Sequence, residues 1–146
     1  MKPRILLVSS APGGLEDFRR LLEEESGCAI LCVPDGESAL REVRKKTPLA
    51  VILEEELLDM PGLELVRRLL PIHAFIHTAV LSDLPAAAFH RQAEGLGILA
   101  QLPAAPQAED ARRFLERLKK LSAPPPARGG APVSAGNFEG STKCKS

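Results

Sequence analysis

Short unbroken apolar runs alternate along this chain with longer amphipathic stretches. The clearest run is Leu49-Ala50-Val51-Ile52-Leu53, which stops at Glu54-Glu55-Glu56. After Leu57-Leu58-Asp59-Met60-Pro61-Gly62 comes a segment with Leu63, Val66, Leu69 and Leu70 at helical spacing. A short, β-branched apolar run is the mark of a strand buried on both faces, and the second pattern is that of an amphipathic helix. Further strands are predicted at Ile5 to Val8, Cys28 to Val33, Ile76 to Leu81 and Ile98 to Leu102. Between them the pattern predicts helices from Leu15 to Glu25 (Leu15, Phe18, Leu21 and Leu22 inward) and from Glu37 to Lys46 (Ala39, Leu40 and Val43 inward). A weak Ala-rich helix is expected from Pro85 to Glu94, and a last helix from Gln107 to Leu121 with Ala111, Phe114, Leu115, Leu118 and Leu121 inward. Gly27, Thr47-Pro48 and Pro71 are read as the ends of the first three helices. Strict alternation of strand and helix argues an α/β fold, a doubly wound parallel sheet with helices on both faces. Ligands of such sheets sit beyond the carboxyl ends of the strands, which is where Glu54 falls.

From Ser122 the composition changes to Ala123-Pro124-Pro125-Pro126-Ala127-Arg128-Gly129-Gly130, a linker composition. One domain is therefore expected over residues 1–122, with a disordered tail over 123–146. The tail reads as inert rather than as a docking peptide, because little in it could anchor a fold. With 146 residues and 45% hydrophobic composition the chain can bury a real core. Lys plus Arg equal Asp plus Glu at 19 each, so electrostatics give no case for nucleic acid or an anionic membrane as partner. No apolar run approaches the ~20 residues that span a bilayer. Three cysteines, Cys28, Cys32 and Cys144, without a secretion signal suggest a reduced, cytoplasmic protein.

Isolated candidates are weak. His73 and His77 are four apart but flanked by Pro71 and a predicted strand, so they do not form a metal pair. Cys28 and Cys32 share one strand face at ~13 Å, too far for a disulfide. Ser9-Ser10-Ala11-Pro12-Gly13-Gly14 could bind an anion at a helix N-terminus, yet it has the spacing of neither phosphate-binding glycine motif. Consecutive acids such as Glu54-Glu55-Glu56 point in different directions and are commonly a solvated patch.

Three words carry a resemblance: Val33-Pro34-Asp35-Gly36-Glu37-Ser38-Ala39-Leu40, Pro48-Leu49-Ala50-Val51-Ile52-Leu53, and Asp59-Met60-Pro61-Gly62-Leu63-Glu64-Leu65. With Ile5-Leu6-Leu7-Val8 and Leu99-Ala100-Gln101-Leu102-Pro103, they resemble the receiver domain of two-component response regulators over residues 3–121. The resemblance implies a flavodoxin-like (βα)5 fold, a five-stranded parallel sheet in the order 2-1-3-4-5.

In that family an acidic pair after the first strand and an aspartate ending the third hold Mg²⁺, which demands oxygen ligands. A lysine after the fifth strand neutralises the phosphoryl oxygens, a Ser or Thr follows the fourth strand, and an aromatic on the fifth acts as switch. Matched by position, the acidic pair is Ser9 and Ser10, the phosphoacceptor is Glu54, the lysine is Leu102 and the switch residue is Leu99; only the hydroxyl survives, as Ser82. Phosphoryl transfer rests on charge stabilisation and positioning, so the resemblance with these departures implies a pseudo-receiver that is not an enzyme and has lost Mg²⁺ binding. Glu54 could mimic a phosphate near Ser82, or be a solvated acid at a strand end; the absence of an aromatic at Leu99 favours the latter.

What remains is surface. In the family the fourth helix, fifth strand and fifth helix form the usual contact face, here expected to include Ala87, Phe89, His90, Leu99, Gln101, Arg112, Arg113 and Glu116. The leading expectation is a signalling or scaffold module that binds a protein partner or a second copy of itself. The alternatives are an atypical regulator still phosphorylated at Glu54 or Ser82, and a small-anion or nucleotide-binding module using the loop after the first strand.

Overall fold

A computed structural model describes residues 3–10, 12–72 and 76–122. His73 and the segment 123–146, with Cys144, lie outside them. Five strands, β1 (Arg4–Val8), β2 (Ala29–Val33), β3 (Ala50–Glu54), β4 (His77–Leu81) and β5 (Ala100–Leu102), form one parallel sheet in the order β2-β1-β3-β4-β5. The intervening helices are α1 (Glu16–Ser26), α2 (Gly36–Lys45), α3 (Gly62–Ile72), α4 (Ala86–Ala93) and α5 (Ala108–Ser122), with a 3₁₀ turn at Pro12–Leu15 ahead of α1.

Because strand side chains alternate between faces, each apolar run feeds two cores. Ile5, Leu7, Ala50, Ile52, Ala79 and Leu81 pack with Phe18 and Leu22 of α1 and Phe114 and Leu118 of α5. Leu6, Val8, Val51, Leu53 and Val80 pack with Leu40 and Val43 of α2, Leu65 and Leu69 of α3, and Phe89 of α4. Cys28 and Cys32 both fall on the α1/α5 side and are free thiols.

Two boundaries depart from expectation. Pro71 does not end α3 but lies inside it. It sits in the last turn, where its missing N–H forfeits a single backbone bond while Leu65, Val66 and Leu69 hold the helix on the core. The fifth strand is shorter than the apolar run Ile98 to Leu102 suggests. Gly95 and Gly97, at φ +83° and +65°, turn the chain so that it joins the sheet late, the first contact being Leu99 N–H to the Thr78 carbonyl at 2.8 Å.

The words that carry the resemblance meet in space as a clasp. Asp35 caps α2 by accepting the Ser38 N–H at 2.8 Å. From the loop after β3, Asp59 reaches the same helix end: Oδ1 accepts the Gly36 N–H at 2.9 Å and Oδ2 the Glu37 N–H at 3.0 Å. Two carboxylates thus satisfy three of the N–H groups that a helix start leaves unpaired. Met60 lies against Gly36, where a Cβ would come within 2.7 Å of its side chain. Gly62 N–H donates to the Glu55 carbonyl at 2.7 Å, and a Cβ at residue 62 would run into the Glu54 carbonyl and Leu53. Asp59-Met60-Pro61-Gly62 is therefore needed for shape. At the other end of α2, the Arg4 guanidinium binds the carbonyls of Glu42 and Lys46 (3.3 and 3.0 Å) and the Glu42 carboxylate (3.3 Å), which holds that carboxyl below its usual range.

Gly62→Ala is expected to lower stability by about 2–3 kcal/mol, since the added methyl meets backbone that cannot step aside; urea unfolding measures it. Hydrogen bonds from Ser38 hold the Asp35 carboxyl below the usual carboxylate range. A depressed native pKa stabilises above the unfolded-state value, and that stabilisation is lost as pH falls through the native one. Asp35→Ala should therefore melt below the unaltered protein at neutral pH. The gap should close in acid, as followed by thermal unfolding against pH.

Candidate functional site

The strand order reverses between β1 and β3, and the crevice at such a switch point is where ligands of this architecture sit. Val8 pairs with Leu53, Glu54 with Leu81, and Leu81 with Leu102. That register brings Ser9, Glu54, Ser82 and Leu102, scattered over the chain, to one edge of the sheet. Ser9 is buried and its N–H donates to the Val33 carbonyl at 3.0 Å, while Ser10 beside it is exposed. Glu54 is half-buried at the end of β3. Leu102 is buried and closes the top of the α1/α5 core.

The three consecutive acids have separate fates. Glu56 forms a β-bridge with Pro61 across the loop. Glu55, which the sequence did not single out, turns to the fourth strand: its Oε1 accepts the Ser82 hydroxyl at 3.1 Å. Ser82 Oγ in turn accepts the Leu84 N–H at 3.1 Å. The one hydroxyl matching the family's pattern is thus engaged on both its donor and acceptor sides by the protein itself. Among the described residues, no group of three or more His, Cys, Asp or Glu is arranged to hold a metal ion. At this edge Ser9 and Ser10 bring uncharged oxygens, Glu54 and Glu55 bring carboxylates, and Leu102 brings no charge.

The expected contact face divides in two. His90, Leu99 and Gln101 line an open groove of about 790 Å³ between α4 and the sheet edge, and Arg117 of α5, missed from the sequence, joins them. Ala87 and Arg113 are exposed nearby in the sequence of α4 and α5, Arg113 paired with Glu109 at 2.9 Å. Phe89 lines the same groove but is only 4% exposed, its ring packed into the core under α4. Arg112 and Glu116 are also displaced from expectation. They line a separate groove of about 280 Å³ with Glu25, Ser26 and Cys28, and Arg112 lies 3.9 Å from Glu25 of α1. At 100° per residue, neighbours along one helix look to different sides, which a list of exposed positions does not resolve. Helix spacing counted from Phe114 and Leu118 could have separated Arg117 from Arg112. No helix among the described residues is long and apolar enough to cross a membrane.

No protein-family model matches the chain, and no curated protein matches it significantly. Solved structures do. The signal receiver domain of an HD domain-containing protein from Pseudomonas fluorescens superimposes with a TM-score of 0.71 at 21% identity, over 82% of this chain and 88% of that one. The chemotaxis response regulator CheY4 of Vibrio cholerae gives 0.68 at 17% identity, over 81% and 99%. A two-component response regulator from Clostridium difficile gives 0.72 at 16% identity, over 84% and 100%. The chain has the fold of response regulator receiver domains.

Proposed function

We propose that this chain is a pseudo-receiver: a signalling or scaffold module that keeps the receiver fold, does not transfer phosphoryl groups, and acts by binding a protein partner. The observation that carries the reading is the strand-end cluster. Where the receiver resemblance calls for carboxylates, a phosphoacceptor aspartate and a lysine, the same edge holds Ser9, Ser10, Glu54 and Leu102, and Ser82 is bonded to Glu55. Binding Mg²⁺ as the resemblance requires would need charged oxygens where Ser9 and Ser10 stand, and the transition state of phosphoryl transfer would need a cation that Leu102 cannot supply. Glu54 is the position a phosphoacceptor would take and serves here as a strand-end acid.

Output then depends on surface. The groove between α4, β5 and α5 offers an apolar floor from Ile98 and Leu99 with His90, Arg91 and Arg117 at its rim. Such a surface suits a protein partner of a signalling pathway, or a second copy of the chain, better than a small metabolite, since it is open rather than enclosed.

Incubation with Mg²⁺ and acetyl phosphate, followed by intact-mass measurement, should leave the mass unchanged. Amide spectra should show no shifts at Ser9, Ser10, Glu54 or Ser82 on adding Mg²⁺ and beryllofluoride at millimolar concentration. A mass gain of one phosphoryl group, or shifts clustered at those residues, overturns the reading in favour of a phosphorylated regulator. Shifts with inorganic phosphate confined to Ser9 and Ser10 would instead mark a small-anion module.

A further inference from the structure

The loop between β4 and α4 is bonded to the rest of the protein at each of its first three residues. The Ser82 N–H donates to the Leu102 carbonyl at 2.8 Å, and the Ser82 hydroxyl joins Glu55 to the Leu84 N–H. Asp83 Oδ1 accepts the Ala104 N–H at 3.0 Å. The centre of this network is Gln101 on β5. Its Nε2 donates to the Ser82 carbonyl at 3.1 Å and to the Leu84 carbonyl at 2.8 Å. A primary amide has two N–H groups, and both are spent on this one loop. Just beyond, the Phe89 N–H donates to the Pro85 carbonyl at 2.9 Å and the Phe89 ring is in the core, so the start of α4 is fixed as well.

We infer that Gln101 is a positioning residue that holds the β4–α4 loop in a single conformation and with it the start of α4, whose later residues line the groove with β5 and α5. The structural part stands on the hydrogen bonds alone; its consequence for partner binding rests on the reading of that groove as the contact face. A preformed surface avoids the cost of ordering a loop on association, and a loop tied on Ser82 by the protein's own groups has no need of a phosphoryl group to set its state. The residue does this from a half-exposed strand-edge position, where its removal leaves both cores intact.

Amide hydrogen exchange, read residue by residue by NMR on the unaltered protein and on Gln101→Leu and Gln101→Glu, tests this without any partner or phosphodonor. Leu keeps most of the volume and removes the donors; Glu keeps the shape and sets carboxylate oxygens against two carbonyls. The Leu84 and Ala104 amides should exchange at least about tenfold faster in both variants, while the amides of β1 and β3 keep their rates, because local opening is separate from global unfolding. Unchanged exchange at Leu84 and Ala104 overturns the inference. So does an acceleration shared equally by β1 and β3, which would make Gln101 an ordinary contributor to stability. Either failure leaves the phosphorylation result standing, and a mass gain with acetyl phosphate would leave the exchange result standing.

Discussion

Burial of the central strands on both faces is the constraint on which the rest depends. Ile5 to Val8 and Ala50 to Leu53 have no solvent exposure at all. Parallel strands of this kind must be covered on both sides, which places α1 and α5 on one face and α2, α3 and α4 on the other. Burying such side chains contributes on the order of 10 kcal/mol or more in gross terms, while a single loop hydrogen bond contributes about 1 kcal/mol. That imbalance lets the strand ends change their residues without losing the fold. It also accounts for close superposition on receiver domains at identities of 16–21%.

At the strand ends, polar groups have been turned to structural use. Asp59 joins the loop after β3 to the start of α2, Glu55 joins it to Ser82, and Gln101 joins β5 to the loop before α4. Each bond crosses between elements far apart in sequence. Together they form a set of cross-braces along the rim. Leu102 adds an apolar contact to the same rim, because it is buried and extends the α1/α5 core at the end of β5.

The two sides of α5 show how one helix serves two surfaces. Arg112 and Glu116 look toward α1 and the groove over Cys28, whereas Arg117 looks toward α4 and β5. Only the second groove is lined by Gln101 itself.

By itself the sequence determined the order and kind of the strands and helices, the two-sided core, and where the strands stop at their carboxyl ends. Hydrophobic period is a local property, and here it runs unbroken through all five units. Sequence position also put Glu54 at the end of β3, Ser82 just after β4 and Leu102 at the end of β5, since the strand ends follow from where each apolar run stops, whereas Leu99 falls one residue ahead of β5. Only the tertiary structure decided which of three neighbouring acids meets Ser82, that Asp59 caps a helix 23 residues back, that Phe89 points inward, and that Arg112 and Arg117 serve different grooves. Those outcomes depend on which elements pack together and on the rotation of each helix about its axis. Spacing along a single segment can show which residues share a helix face, but which neighbour that face meets is set by long-range packing.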